Sequence, residues 1–171
     1  PDAAALPSPE ESGRLPALIS GLSAVHRAHL TAALRSKYSR PVVVLCPDES
    51  GAAALARDVS SLTGEDCVLL TGRDYSLYNA EAASRGAEQR RINALAALMD
   101  GAPVCCASAE GLLQRAMPPE LFRRAAFEID SKGECAPEDV EDALVRCGYS
   151  RAVQVEGPGQ FSRRGGILDF F

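Results

Sequence analysis

The sequence predicts an α/β fold: a parallel sheet with helices on both faces, followed by a small α+β piece that ends in a β-hairpin. Short apolar runs alternate with helical patterns as far as residue 117, and this alternation is typical of a parallel sheet. The dipeptide Pro118-Pro119 then interrupts the pattern. Beyond it the chain holds an acidic helix start and a glycine-rich closing stretch. We therefore predict two domains, 1–117 and 118–171.

The first domain is predicted to contain four strands and four helices. The strands are short apolar runs, and the second is β-branched without alternation, as in a strand that is covered on both faces. They span residues 15–19, 41–46, 67–70 and 103–107. The helices show apolar residues at helical spacing, or capping residues at their ends. They span residues 24–38, 48–62, 84–99 and 108–115.

The second domain begins with a short helical turn near Leu121 and a predicted strand at 125–129. Pro137 then starts a helix whose first turn is acidic, and Cys147-Gly148 ends it.

The closing stretch, residues 148–171, is predicted to form a β-hairpin that carries arginines and aromatic residues. Gln154-Val155 is extended, Gly157-Pro158-Gly159 makes the turn, and Phe161 starts the return strand. Gly165-Gly166 permits a bulge or a close backbone approach before an apolar strand at 167–171. Because the sequence stops inside that strand, we expect a fragment of a longer protein, with an incomplete second domain.

Composition narrows the possible partners. The net charge is −5, from 23 acidic and 18 basic residues, so DNA is not the expected partner. Arginine pairs at 90–91, 123–124 and 163–164 are either solvated or local basic patches. Six cysteines without a CxxC pair, and only two histidines, disfavour a zinc site and suit free thiols in a reducing cytoplasm. No apolar run is long enough to span a membrane, so we predict no membrane partner.

The turn from the first strand to the first helix, Gly21 to Ala28, occupies the place of a phosphate loop. A working loop, GxxxxGK[ST], needs a second glycine, a lysine for the phosphates and a hydroxyl for Mg²⁺. His26, Arg27 and Ala28 stand at those three positions. The segment is therefore either a P-loop-type site that lost its nucleotide or an ordinary turn that never bound one. Both predict no ATP hydrolysis, and we predict no catalytic residue, cofactor or metal.

Other candidate sets are weaker. Asp48-Glu49 suits a helix cap better than half of a catalytic box. Ser108 is predicted to cap the short helix that runs through Arg115. Tyr75 and Tyr78 either stack on bases or pack against their own domain.

Three stretches resemble the bacterial transcription-repair coupling factor family (Mfd). They are RPVVVLCPD from Arg40, AEGLLQRAMPP from Ala109, and above all GYSRAVQVEGPGQFSRRGGILDFF from Gly148. The resemblance covers about Leu15 to Phe171 and points to the N-terminal region of that family, which is in turn similar to the UvrB excision-repair helicase. It implies a helicase-like first domain with a degenerate phosphate loop. UvrB itself has a working phosphate loop. Because Gly21 to Ala28 departs from the phosphate-loop pattern, the sequence resembles the coupling factor more than UvrB.

The resemblance also implies that the second domain binds UvrA, the damage-recognition ATPase. The family's UvrA-contacting arginines correspond to Arg151, one place later than in some members, and to Arg164. Arg163 adjoins Arg164. The resemblance also implies a contacting aromatic residue at the end of the strand, and Phe170 or Phe171 corresponds to it. Arginines beside aromatic residues also suit a binding hot spot, whereas solvated edge charges that prevent strand aggregation are the alternative.

Three functions compete at this stage. The first is a non-catalytic recruitment module that binds UvrA, and the second is an ATP-binding UvrB-type DNA helicase domain. The third is a DNA-binding fragment that uses Tyr75, Tyr78 and the arginine pairs. In the full-length family, downstream regions bind RNA polymerase and DNA, and those regions are absent from these residues.

Overall fold

The computed structural model describes residues 18–38, 40–72, 80–129, 133 and 135–171, with the backbone alone for 80–85. Two compact units divide them. The first comprises residues up to 72 and 90–114, and the second comprises residues 80–89 and 115–171. The predicted mixed α/β fold with a parallel sheet and a later small sheet is confirmed.

The first unit is built on three parallel strands, β1 (Val42–Cys46), β2 (Cys67–Leu70) and β3 (Val104–Ser108). Their order is β1-β3-β2, and β3 is central because both neighbours pair with it. Four helices accompany the strands: α1 (Ala24–Tyr38), α2 (Glu49–Thr63), α3 (Ala80–Met99) and α4 (Ala109–Leu113).

Helices cover both faces of this sheet. Successive strand residues point to opposite faces, so β3 contributes apolar side chains to both. On one face, Val104 and Cys106 of β3 pack in a buried cluster with α1 and α2 residues such as Ala28 and Val59. On the other face, Cys105 and Ala107 pack with Ala94 of α3 and its apolar neighbours. β3 is therefore buried throughout, which agrees with its apolar run from Val104 to Ala107.

The predicted strand at 15–19 is wrong at Leu18 and Ile19. Residues 15–17 lie outside the described range, and Leu18 and Ile19 are not in a strand. Leu18 is 96% exposed. A short apolar run predicts a strand only when a neighbouring strand completes its hydrogen bonds, and the described residues provide none for these two. The predicted loop with Tyr75 and Tyr78 also lies outside the described residues.

The second unit contains α5 (Pro119–Ala125), α6 (Pro137–Arg146), β4 (Ser150–Arg151), β5 (Gln160–Arg164) and β6 (Ile167–Phe170). Its sheet has the order β4-β5-β6, with β4 parallel and β6 antiparallel to β5. Phe161, Val140 and Leu144 form the buried cluster that joins β5 to α6.

The predicted strand at 125–129 is wrong. Ala125 ends α5, and residues 126–129 have no regular structure. Phe127 and Ile129 are exposed, so the alternating pattern has no sheet to join.

The hairpin exists, but its position was predicted wrongly. Gln154-Val155 is not a strand, and the turn lies at Gly165-Gly166 between β5 and β6. Gly165 has φ +64°, a conformation that two-residue hairpin turns require and that glycine adopts at little cost. Gly157 to Gly159 instead belong to the loop between the parallel strands β4 and β5.

Candidate functional site

The first candidate site, at the start of α1, is closed by its own side chains. Ser23 and His26 form a reciprocal cap: the His26 backbone N–H donates to Ser23 Oγ, and the Ser23 N–H donates to His26 Nδ1, each at 3.4 Å. This is the capping-box arrangement, with histidine in place of the usual glutamate. His26 therefore stabilises the helix end, and two of the backbone N–H groups that a phosphate could use are already engaged.

The other predicted phosphate-loop residues are separated from one another. Gly21 has φ +76° and lies in the turn before the helix. Arg27 is exposed on the first turn of α1, whereas Ala28 is buried against α2 in the core. The structure does not bring these side chains together around one cavity.

The carboxyl ends of the strands are the usual ligand-binding edge of a parallel sheet, and here two further helix starts are capped internally. Asp48 accepts hydrogen bonds from the Gly51 N–H at 2.7 Å and from Ser50 Oγ at 2.6 Å. The Ser50 hydroxyl and then the Gly51 N–H lower the pKa of the Asp48 carboxyl. Ser108 Oγ accepts the Gly111 N–H at 3.1 Å at the start of α4. The predicted capping roles of Asp48 and Ser108 are confirmed.

Arg91 fills the same edge of the sheet. Its guanidinium donates to the carbonyls of Thr71 at 2.7 Å, Gly111 at 2.9 Å and Gln114 at 3.2 Å. The residue is only 6% exposed. Glu49 also accepts the Gly72 N–H there, so a carboxylate lies where an anionic ligand would approach. The edge is thus held together by groups of the chain itself.

The structural role of Arg91 is not evident from its place in the Arg90-Arg91 pair. The sequence offers one signal, the helical spacing of Arg91 between Ala87 and Ala94, and the structure buries all three residues. An arginine inside an apolar stripe needs several acceptors, and only the tertiary structure shows which carbonyls supply them.

In the second unit, two glutamates of α6 hold two of the predicted arginines. Arg163 pairs with Glu138 and, at 3.3 Å, with Glu141. Arg151 pairs with the other oxygen of Glu141 at 3.1 Å. The pKa of Glu138 is lowered, first by its own backbone N–H and then by Arg163. Arg163 is therefore engaged within the unit, and its side chain is 25% exposed.

The register of the small sheet places the predicted arginines on two different faces. Arg151 is the partner of Phe161, so both side chains lie on the face that α6 covers. Arg164 is three residues further along β5 and lies on the opposite face. Ser150, the residue before Arg151, shares that opposite face through its pairing with Gln160. A shift of one residue along a strand thus moves an arginine to the other side.

Arg164 is the predicted residue that remains most accessible. Its Nη2 lies 2.8 Å from an Asp169 oxygen, and its side chain is still 70% exposed. Phe170 pairs with Phe161 and lies on the α6 face, whereas Phe171 continues on the Arg164 face and donates its N–H to the Gln160 carbonyl at 3.1 Å. Both phenylalanines are partly exposed. The acids Glu138, Glu141 and Asp169 were not predicted as part of this cluster.

The cysteines form no disulfide in the structure. Cys46, Cys105 and Cys106 are buried, while Cys67 is half-buried with its Sγ 3.6 Å from Cys106 Sγ. Burial raises the pKa of the Cys105 thiol to about 11.

Among the residues that the structure describes, no group of three metal-binding side chains occurs. No helix in the same residues is long and apolar enough to cross a membrane.

These features define a class: a parallel α/β unit whose helix starts are capped internally, joined in sequence to a small α+β unit with paired arginines. Comparison with known proteins then shows which particular proteins the chain resembles. The chain is similar to the transcription-repair-coupling factor of Myxococcus xanthus, with 31% identity over 160 residues, or 88% of this chain and 13% of that protein. The corresponding protein of Bacillus subtilis is 29% identical over 157 residues, or 90% of this chain and 13% of that protein. That of Escherichia coli is 23% identical over 155 residues, or 90% and 14%.

The resemblance to transcription-repair coupling factors is therefore confirmed over about nine tenths of the chain. No protein-family model matches. The chain spans only about one eighth of the length of these curated relatives.

Proposed function

We propose that this chain is a non-catalytic recruitment module of transcription-coupled nucleotide excision repair that binds UvrA. The similarity to transcription-repair-coupling factors supports a role in DNA repair. Such a module acts in the bacterial cytoplasm, where the DNA is. Contacts with RNA polymerase and DNA, and ATP-driven movement, belong in this proposal to other parts of a longer protein.

The absence of catalysis is supported by the start of α1. The reciprocal cap between Ser23 and His26 engages two of the backbone N–H groups that a phosphate group could use. Arg91 and Glu49 occupy the neighbouring strand ends. A nucleotide at these strand ends would have to displace the buried Arg91 guanidinium, and each buried polar group left unpaired costs about 1–3 kcal/mol.

Calorimetry with Mg-ATP tests this part of the proposal. We expect no saturable binding up to millimolar nucleotide, with intact UvrB as the positive control. Micromolar binding of Mg-ATP would instead favour an ATP-binding UvrB-type helicase domain.

The observation that carries the binding role is the exposure of Arg164 beside apolar side chains on a strand of the second unit. A guanidinium can donate two parallel hydrogen bonds to a partner carboxylate. Its loss at the centre of an interface costs about 2 kcal/mol, or roughly thirty-fold in affinity.

A binding assay with purified UvrA tests the role. We expect Arg164→Glu to weaken binding at least thirty-fold. Arg124 is another exposed arginine of the same unit, on α5, so Arg124→Glu is the matched control and should bind like the wild type. Wild-type binding by Arg164→Glu would refute the assignment. Salt-dependent binding to duplex DNA, also lost in Arg164→Glu, would favour the DNA-binding alternative.

A further inference from the structure

We propose that Cys67 and Cys106 form an oxidation site in the first unit, where a hydroperoxide oxidises Cys67 and Cys106 then closes an intrachain disulfide with it. This site lies on the parallel sheet and is independent of the proposed binding of UvrA.

The strand register brings the two sulfurs together. Cys67 is the first residue of β2 and pairs with Val104 of β3, two residues before Cys106. Side chains two residues apart on a strand share a face, and both cysteines belong to the apolar cluster on the α1 and α2 side of the sheet. Their Sγ atoms are 3.6 Å apart. A bond of about 2.0 Å between them needs rotation of the side chains and a small shift of the strands, without unfolding.

The two thiols differ in accessibility, and this difference assigns their roles. Cys106 is fully buried in the central strand, whereas Cys67 is half-buried on the edge strand β2. A negative charge is therefore accommodated more easily on Cys67, and a hydrogen bond from the Cys106 thiol lowers the pKa of the Cys67 thiol. Oxidation-sensitive cysteines combine thiolate character, access to solvent and a neighbouring thiol. Cys67 is the residue that an oxidant reaches first, and Cys106 is the resolving thiol.

The reaction consumes two thiols and one hydroperoxide. The Cys67 thiolate attacks the terminal oxygen of the hydroperoxide, the O–O bond breaks, and the leaving alkoxide takes up the proton that Cys67 had released. The sulfur of Cys67, oxidised by two electrons, is then a sulfenic acid. The Cys106 sulfur attacks it and displaces hydroxide, which accepts the Cys106 proton and leaves as water. One disulfide, one water and one alcohol result.

The position of the pair favours a reversible bond. The two cysteines are offset by two residues along adjacent strands, and such diagonal neighbours lie further apart than residues that are directly opposite. A disulfide that draws strands together in this way is strained, and strained disulfides are reduced more readily than relaxed ones. We therefore expect a modification that cellular thiols reverse.

Two other cysteines of the same sheet provide the comparison. Cys105 precedes Cys106 but lies on the opposite face, where it packs with Ala94. Cys46 lies on β1, two residues beyond the partner of Cys106, and on the same face as Cys106. Both are buried, so neither offers the accessible sulfur at which oxidation begins.

Peptide mapping of the full chain after brief treatment with hydrogen peroxide tests the proposal. Trypsin places Cys67 in the peptide 58–73 and Cys106 in the peptide 92–115, so their disulfide links two identifiable peptides. We expect this link in the native wild type and its loss after treatment with dithiothreitol. Exposed thiols elsewhere in the chain are blocked by removing them, in Cys135→Ser with Cys147→Ser, and the link should persist in that background.

Three variants assign the sulfurs within the linked peptides. Cys105→Ser is the matched control, because it leaves the pair intact and should retain the link. Cys106→Ser should lose the link and leave Cys67 as a sulfenic acid that dimedone traps. Because a serine hydroxyl at this buried position lacks an assured partner, Cys106→Ala is the second choice if Cys106→Ser misfolds, and thermal unfolding checks both.

Several results would overturn the proposal. One is a native chain in which peroxide oxidises Cys135 and Cys147 but leaves the peptide 58–73 unmodified. Another is a Cys67 sulfenic acid that accumulates in the wild type without a link to Cys106. A link between Cys106 and Cys46 in place of Cys67 would equally contradict the assigned pair.

Discussion

Two glycines offer a test in which one substitution should have opposite effects. Gly51 and Gly111 occupy equivalent places, the third residue after the helix caps Asp48 and Ser108, and each donates its N–H to the capping side chain. A Cβ added to Gly51 would lie 3.4 Å from the Asp48 carboxylate, an ordinary contact. A Cβ added to Gly111 would lie 2.5 Å from the Leu70 carbonyl oxygen.

The magnitude follows from those distances. Alanine is more favourable than glycine inside a helix by about 0.5–1 kcal/mol, so Gly51→Ala should raise the free energy of unfolding by that amount. In Gly111→Ala, a carbon–oxygen contact needs about 3.3 Å, so α4 must move roughly 0.8 Å away from β2. Displacements of this kind in a packed site cost about 1–3 kcal/mol. This cost exceeds the gain in helix propensity, so the variant should be less stable than the wild type.

Urea unfolding followed by circular dichroism measures both variants. Both glycines belong to the first unit, so they report on the same transition. With a slope of about 2 kcal/mol per molar urea, the midpoints of the two variants should differ by roughly 0.5–1.5 M. If Gly111→Ala proves as stable as Gly51→Ala, the close approach of α4 to Leu70 is wrong.

Three further predictions concern the caps, the ion pairs and the thiols. His26→Ala should destabilise the first unit by about 0.5–1 kcal/mol in urea unfolding. His26→Gln should retain the stability of the wild type, because glutamine also completes the capping box. An equal loss of stability in both variants would contradict the cap. The native pKa of Glu138 lies below its ordinary 4.5, so its contribution to stability is present above pH 4.5 and is lost as pH falls through the native value. The melting temperature between pH 3 and 6 should therefore depend less on pH in Glu138→Gln than in the wild type. An unchanged dependence would refute the stabilising role of the ionised Glu138. Brief iodoacetamide treatment at pH 8 should label the exposed Cys135 and Cys147 and spare Cys105, because burial raises the pKa of the Cys105 thiol to about 11. Mass spectrometry that finds Cys105 labelled as fast as Cys135 would contradict the burial of Cys105.

Local signals were sufficient for much of the fold. The start of α6 at Pro137 and the cap of α4 at Ser108 follow from residues within one helical turn, and both predictions are confirmed. β2 was predicted with its observed bounds because a short apolar run between turn signals needs only to be buried. These elements depend on interactions between neighbouring residues, which a single sequence displays directly.

The site was less predictable, because its geometry depends on pairing between distant residues. The sequence indicated arginines at 151, 163 and 164 but could not show that Glu138 and Glu141 hold two of them. It also misplaced the hairpin turn, because two glycine-containing segments competed and only the ladder between β5 and β6 selects one.

What the sequence by itself determined is therefore the class of the fold, most of its helices and strands, and the likeness to transcription-repair coupling factors. What only the tertiary structure decided is on which face of the small sheet each arginine lies and which groups close the strand ends. The physical reason is that side-chain direction in a sheet changes with every residue. A shift of one position, as between Ser150 and Arg151, leaves the composition almost unchanged but moves a charge to the opposite surface.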